Sequence, residues 1–437
     1  MKKIFAGLAL LALLAGCAAK TPVSVKPGKI LPPWQEGWLD IHSINGGRGE
    51  SFFYIFPDGT TMLVDAAGSL PEEDYPLDPP GLPSKPSKDI TPGRVVTDYV
   101  SQFEPEVSKG ALDYMMITHF HGDHFGLLIP SPDAPGYQVH PEGGFQMVSV
   151  SEVGSNLKVG TIIDRGDFTS RASKGFRNPE SWARYENYRK FVAWSEKANG
   201  TVYEPMQVGR DDQIVLKHEP AKYPGFSVRN VGAGGNYWTG KGTEVDSTYI
   251  PSPAECLAFA ESEDKDAPNI NENIFSCIFH LQYGKFNYFA AGDLQYKHKE
   301  KFAWFDAEAP VAKIMPEVDV MKLCHHGTSG TNSQALLNAL KPEVAIAANW
   351  RDVQPNPATM KRVWKANPEA KIITTNMVDR SRELLQADGV DPEKFLSTQG
   401  HVVIRVEPGG DRYWVLILED DDQKFLVKAV HGPYQSK

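Results

Sequence analysis

The chain has 437 residues, 41% of them hydrophobic and 23% charged, and a formal net charge of −10. That balance is one of a globular protein with a proper core, long enough for one large domain or two ordinary ones. Its negative field repels phosphate backbones at long range, so broad nucleic-acid binding is disfavoured unless a local basic patch or a metal overrides it.

The first stretch addresses the compartment. Lys2-Lys3 precedes the apolar run from Ile4 to Leu13 and then Leu14-Ala15-Gly16-Cys17. A basic start, a short apolar run and small residues before a cut site describe a signal peptide over residues 1–16, too short for a membrane span. The Leu-Ala-Gly-Cys ending resembles the bacterial lipobox. That resemblance implies acylation of Cys17 and a chain exported and held on the membrane of the cell envelope by lipid. Loss of Lys2 and Lys3 with the signal would make the net charge −12. Residues 17–35 lack periodicity and read as a lipidated, flexible tether. Three cysteines remain, Cys256, Cys277 and Cys324. The odd count is not a disulfide framework, and leaves open a Cys256–Cys277 bridge or buried free thiols.

From residue 36 onward the pattern is that of one mixed α/β domain. Phe52–Phe56 and Thr61–Asp65 flank Pro57-Asp58-Gly59, a hairpin signal. Seven prolines between 71 and 92 mark a surface loop or lid. A helix around Val95–Phe103 leads to a strand at Leu112–Ile117. Residues 130–272 read as an irregular insertion with one helix, Glu180–Lys197, and short strands at Ile214–Lys217 and Phe226–Val231. Gly232-Ala233-Gly234-Gly235 lacks a phosphate-loop frame and reads as a turn. A hairpin follows, Ile274–Gln282 and Phe286–Ala291. Strands at Val318–Cys324, Val344–Ala347 and Lys371–Thr375 then alternate with helices Ser333–Leu340 and Pro357–Ala366. A last hairpin pairs Val402–Val406 with Tyr413–Leu418. Hairpins in each half, with helices between, suit a layered α/β sandwich with sheets inside and helices outside.

Residues 118–126 read Thr-His-Phe-His-Gly-Asp-His-Phe-Gly. Directly after a strand, His119 and His121 point the same way because side chains alternate. The turn at Gly122 lets Asp123 and His124 project from the other side, so the loop can serve two adjacent ions. Imidazole and carboxylate donors suit zinc, and also manganese or iron. Phe289-Ala290-Ala291-Gly292-Asp293 is a strand ending in a carboxylate that could bridge two ions. Met321–Ser329 is a strand ending in His325-His326-Gly327, where one imidazole binds metal and the other donates a hydrogen bond behind it.

His-x-His-x-Asp-His, strand-Gly-Asp and strand-His-His-Gly-Thr-Ser, in that order, resemble the metallo-β-lactamase superfamily. The particular form is similar to the hydrolase domain of the competence-related ComEC/Rec2 group. The resemblance implies a four-layer αββα sandwich over roughly residues 38–430. It also implies one or two zinc ions held by His119, His121, Asp123, His124, Asp293, His325 and His326. Asp65 matches an early aspartate that supports the metal loop, and Asn273 and Ser276 match an Asn/Ser-containing strand before Gly-Asp. Thr328, Ser329 and the Gly327 backbone would hold an anionic substrate group, although a helix cap at Ser333 explains the same polar run. No residue matches a third histidine for the first ion: His140 lies in a turn, and His218 and His280 fall in candidate strands.

The implied reaction is hydrolysis by a metal-bound hydroxide, with Asp123 and His326 as catalytic candidates, Asp123 orienting the nucleophile and His325 or His326 closing the second ion's shell. The subgroup favours a phosphodiester or related phosphoester. A small ester, lactone or amide fits the same chemistry, as does β-lactamase-type hydrolysis. A different class is a non-enzymatic surface lipoprotein whose depleted site only binds metal.

Overall fold

The computed structural model describes residues 25–68, 82, 85–87, 89–166, 179–262, 270–296 and 302–437. The expected signal segment, Cys17 and most of the Pro-rich loop lie outside them. The chain opens with a meander of β1 (Leu39–Ser43), β2 (Phe52–Ile55) and β3 (Thr61–Val64). The β2–β3 turn forms where Pro57-Asp58-Gly59 predicts it. Gly59 takes a φ of +88°, open to a residue without Cβ, and Asp58 Oδ1 accepts from Thr60 N at 2.9 Å.

Helix α1 (Pro92–Phe103) carries the chain to β4 (Ala111–Met116), parallel to β3. The single turn α2 (Gly122–Phe125), α3 (Ser149–Asn156), β5 (Lys158–Asp164), α4 (Pro179–Asn199) and β6 (Val202–Pro205) follow, the two strands again parallel to their neighbours. A second sheet then forms from β7 (Phe226–Ala233), β8 (Asn236–Trp238) and β9 (Val245–Asp246). After α5 (Pro253–Glu261) it adds β10 (Ile278–Tyr283), β11 (Phe286–Ala290), β12 (Val320–Lys322), β13 (Val344–Ala347) and β14 (Lys371–Thr374). Helices α6 (Ala309–Ala312), α7 (Gln334–Leu340) and α8 (Pro357–Ala366) punctuate its parallel run, and α9 (Asp379–Ala387) leaves it. The chain returns to the first sheet with β15 (His401–Val406), β16 (Arg412–Leu418) and β17 (Val427–Gln435), where β15 pairs with β1.

The result is a nine-stranded and an eight-stranded sheet, ordered 17-16-15-1-2-3-4-5-6 and 14-13-12-11-10-7-8-9. Three cores account for the layering. Tyr54, Met62 and Ile404 of one sheet meet Phe279, Tyr288 and Ile346 of the other. On the first sheet's outer face, Phe53, Leu63 and Met115 pack under Val96 and Tyr99 of α1 and Val153 of α3. On the second sheet's outer face, Phe289, Met321 and Ala345 pack under Leu337 of α7 and Met360 of α8. Because alternate residues of one strand go to different cores, both faces of each central strand are apolar, and strands such as β2 are buried throughout. This is the four-layer α/β sandwich the sequence predicts.

Several expectations need correction. Residues 130–272 are not an irregular insertion, since they supply β5 to β9 and so extend both sheets. Ile214–Lys217 is not a strand. Its apolar alternation buries Ile214 and Leu216 in the inter-sheet core, but its amides bond to side chains, Val215 N to Tyr114 Oη (3.0 Å) and Lys217 N to Thr60 Oγ1 (2.7 Å). His218, just beyond it, is likewise off any strand. From Val25 the expected tether is docked: Gly28 N bonds Val427 O at 2.7 Å, Leu31 is buried and Arg405 holds Pro32 O. Of the two alternatives left open for Cys256 and Cys277, buried thiols not bridged to each other are what the structure has. Among the described residues no helix is long and apolar enough to cross a membrane.

Candidate metal centre

The parallel pairs β3/β4 and β11/β12 end on the same side of the sandwich, and the loops after these four strands carry the chemistry. Carboxyl ends of parallel strands are where sheets of this kind leave a crevice. Cys277 N bonds Thr118 O at 2.9 Å and stitches the two sheets together there. After β3 comes Asp65, at a φ of 56°. After β4 come Thr118 to His124, after β11 Asp293, and after β12 a short 3-10 turn, Cys324–Gly327. In that turn His325 and His326 both take left-handed φ, 49° and 54°. For residues with a Cβ that conformation costs about 1–2 kcal/mol each, and here it swings two successive imidazoles toward one carboxylate.

That carboxylate is Asp293. Its Oδ2 lies 3.2 Å from His124 Nε2, 3.5 Å from His325 Nε2, 3.6 Å from His326 Nε2 and 3.8 Å from His119 Nε2. Among the described residues, donor atoms within 4.8 Å of one another form three groups, of which two share Asp293: Asp123, His124, Asp293 and His326, and His119, His121 and Asp293; the third, Glu50, Asp65 and His124, lies behind them. Within the loop, His119 and His121 fall in one group and Asp123 and His124 in the other.

The groups behind the ligands fix which nitrogen faces inward. Asp65 Oδ1 accepts from Thr118 N (2.8 Å), while Oδ2 takes the Thr118 hydroxyl (2.6 Å) and meets His124 Nδ1 (2.8 Å). His326 Nδ1 meets Ala348 O at 2.9 Å and Asn273 Nδ2 meets His325 Nδ1 at 3.2 Å. Each leaves an Nε2 turned to Asp293. Ser276 Oγ accepts from Asp293 N at 3.1 Å, and Gly292, at a φ of +47°, has Ser276 Oγ and Thr118 Cβ both 2.9 Å from where a Cβ would sit. Asn273 belongs to a 3-10 turn, Glu272–Phe275, rather than the expected strand, because Asn271 caps it by accepting from Asn273 N.

The residues fit a cationic guest. Both oxygens of Asp293, His124 Nε2 and His326 Nε2 are buried without an aligned hydrogen-bond partner, a state that buried polar atoms rarely sustain. Burial alone would raise the Asp293 and Asp123 carboxyls, yet neighbouring imidazoles hold both well below the usual range, so both are ionised. Burial keeps His119 neutral, its pKa well below the ordinary value, and drops His325 to about 4. Burial would also lower His124, but Asp293 and Asp65 outweigh it and hold it well above the ordinary value.

Two site residues have no sequence signature in the motifs above. Glu50, on the loop between β1 and β2, comes within 3.7 Å of His124 Nδ1 and 3.4 Å of His326 Nδ1. Lys322 ends β12, pairs with Glu50 at 2.7 Å and is 3.8 Å from Asp293 Oδ1. A Gly-Arg-Gly-Glu turn just before an apolar hairpin and a lone lysine in an apolar strand were the available signals. Thr328 offers its carbonyl to the Thr331 and Thr359 hydroxyls, Ser329 is exposed, and Ser333 Oγ caps α7 through Leu336 N. His140 bonds Gly143 N, His218 meets Ser108 and His280 meets Asn287. None of the three is in any of these donor groups.

No protein-family model matches the chain. Over 80 residues it is 29% identical to Recombination protein 2 of Haemophilus influenzae. That stretch is 18% of this chain and 9% of the relative, so the chain spans only a small share of the curated protein it matches.

Proposed function

We propose that the chain is a metal-dependent hydrolase of the metallo-β-lactamase superfamily, similar to the ComEC/Rec2 group, that cleaves a phosphodiester or related ester. The observation that carries this reading is the pair of donor groups sharing Asp293. Two sets of imidazole and carboxylate donors that share one carboxylate would hold two ions, and zinc suits the donors. Asp123, His124, Asp293 and His326 would hold one ion. His119, His121 and Asp293 would hold the other, with His325 on its open side. Divalent ions there supply Lewis acidity toward the ester oxygen and lower the pKa of water.

The chain's own residues do the rest. Asp123, whose side chain is 15% exposed beside fully buried His326, is the carboxylate placed to orient an incoming water. His326, with Nδ1 committed to Ala348 O, is assigned to ligation rather than proton transfer. His325 is neutral down to about pH 4 and 28% exposed, and with Nδ1 facing the Asn273 amide N–H its Nε2 carries the ring hydrogen toward Asp293 and the substrate side. Net charge favours a small phosphoester over a long nucleic acid.

The test is hydrolysis of bis(p-nitrophenyl) phosphate by the protein with zinc, manganese or no added metal, beside His121→Ala and Asp293→Ala. Metal-dependent turnover lost in both variants supports the reading. Stoichiometric metal without turnover of any phosphodiester, ester or lactam overturns it in favour of a non-enzymatic metal-binding lipoprotein.

A further inference from the structure

We infer that the buried Arg165–Glu272 pair is the positioning device of one metal half-site, the His119/His121 side, and that it acts on that side selectively. The inference rests on the two-ion reading above. Arg165 follows β5 and Glu272 opens the 3-10 turn before β10. Both side chains are almost wholly buried, and they pair in bidentate fashion, Nε to Oε1 at 2.5 Å and Nη2 to Oε2 at 3.1 Å.

Glu272 Oε1 also accepts from the backbone amide of Phe120 at 3.2 Å. Phe120 stands between His119 and His121, so this one bond fixes the peptide from which both imidazoles diverge. The Arg165 guanidinium meanwhile lies 5.0 Å from the Phe120 ring centroid and 5.3 Å from that of Phe275. Phe120 is thus held by its amide and its ring through the same pair. One residue on, Asn273 meets His325. A single short turn therefore holds the peptide between His119 and His121 through Glu272 and touches His325 through Asn273.

The other side is anchored elsewhere. His124 leans on Asp65, and His326 on Ala348 O. His119 shares Thr118 with that anchor, through an Nδ1–Oγ1 approach of 3.1 Å; His121 is one bond further from it, its Nδ1 meeting His119 Nε2 at 3.1 Å, and follows the Phe120 peptide. Partners of this kind typically govern metal affinity by about 10–100-fold. A bidentate charged pair also resists rotation better than a single bond.

Cobalt(II) titration of the full chain, followed by visible absorption and by metal counting, tests the inference. Glu272→Gln and the double variant Arg165→Met/Glu272→Leu are compared with the parent chain. The double variant replaces a buried pair with apolar side chains of similar size, an exchange that usually spares the fold, so it answers the question if Glu272→Gln alone does not fold. Both variants are expected to bind one of the two equivalents as the parent does and the other about 10–100-fold more weakly. Folded variants that bind both equivalents with parental affinity overturn the inference alone, as do folded variants that lose both equally. A parent chain that binds fewer than two ions overturns the two-ion reading and the inference with it.

Discussion

Lys322 Nζ stands 2.7 Å from Glu50 Oε1, and neither side chain is more than 2% exposed. The pair lies behind the ligands, with Lys322 also donating to Gly292 O and Glu50 facing His124 and His326. Removing one member of a buried pair strands the other charge, at about 3–5 kcal/mol. Lys322→Met is therefore expected to lower unfolding free energy by about that amount in urea titration. Lys322→Met/Glu50→Leu should recover part of it, because no charge is left unpaired. A single variant as stable as the parent would show that the pair contributes nothing.

Metal uptake should expel a proton. His124 is held well above its ordinary pKa because Asp293 and Asp65 outweigh burial, so at neutral pH the metal-free ring is protonated and must lose that proton to ligate. Affinity should rise with pH until His124 deprotonates by itself. Calorimetric titration with zinc at pH 7, in two buffers of different ionisation enthalpy, should report release of about one proton from this ring. Heats that do not depend on the buffer would contradict the assignment.

Gly49 should tolerate no side chain. Its φ is +68°, and a Cβ there would lie 2.0 Å from the carbonyl oxygen of Asp123. Glu50 N also bonds that carbonyl at 3.2 Å, so a shift moves the metal loop directly. Gly49→Ala should cost about 1–3 kcal/mol of backbone strain and weaken metal binding, while far-ultraviolet dichroism stays near that of the parent. Equal metal affinity in a folded Gly49→Ala protein would refute this.

Glu308 should make stability depend on pH. Burial raises its pKa to about 7 although it accepts from Asn332 N and Ser333 N at 2.6 Å each. Its folded pKa exceeds the ordinary value of 4.5, so between those two values the folded state holds a proton that the unfolded state has lost. This group's contribution to stability therefore falls as pH rises from about 4.5 to about 7 and is flat beyond. Melting curves of Glu308→Gln should show a shallower fall over that window than the parent, by more than about 1 kcal/mol. An unchanged slope would mean that Glu308 ionises normally.

Much of the sandwich is legible in sequence because its central strands and helices are short apolar runs between strong punctuation. Pro57-Asp58-Gly59 fixes one hairpin, and Pro357 starts α8 at the residue expected, with Asn356 as its cap. What escapes is set by long-range pairing. β5 and β6 carry mixed faces that make sense only beside β4, and Ile214–Lys217 alternates like a strand yet finds its amide partners in side chains. At the centre, the His119–His124 loop and Asp293 announce themselves because their chemistry is dense in sequence. Glu50, Lys322, Arg165 and Glu272 do not. Each is one charged residue that gains meaning only when folding buries it against another from a distant element.

Asp293 is the carboxylate common to the two donor groups, and under the proposed function it would serve both ions. Anomalous diffraction at the zinc edge, from crystals grown with zinc, tests it most directly. Two peaks should flank the Asp293 carboxylate, one among Asp123, His124 and His326 and the other beside His119 and His121. A single peak away from Asp293, or none in this pocket, would contradict the account.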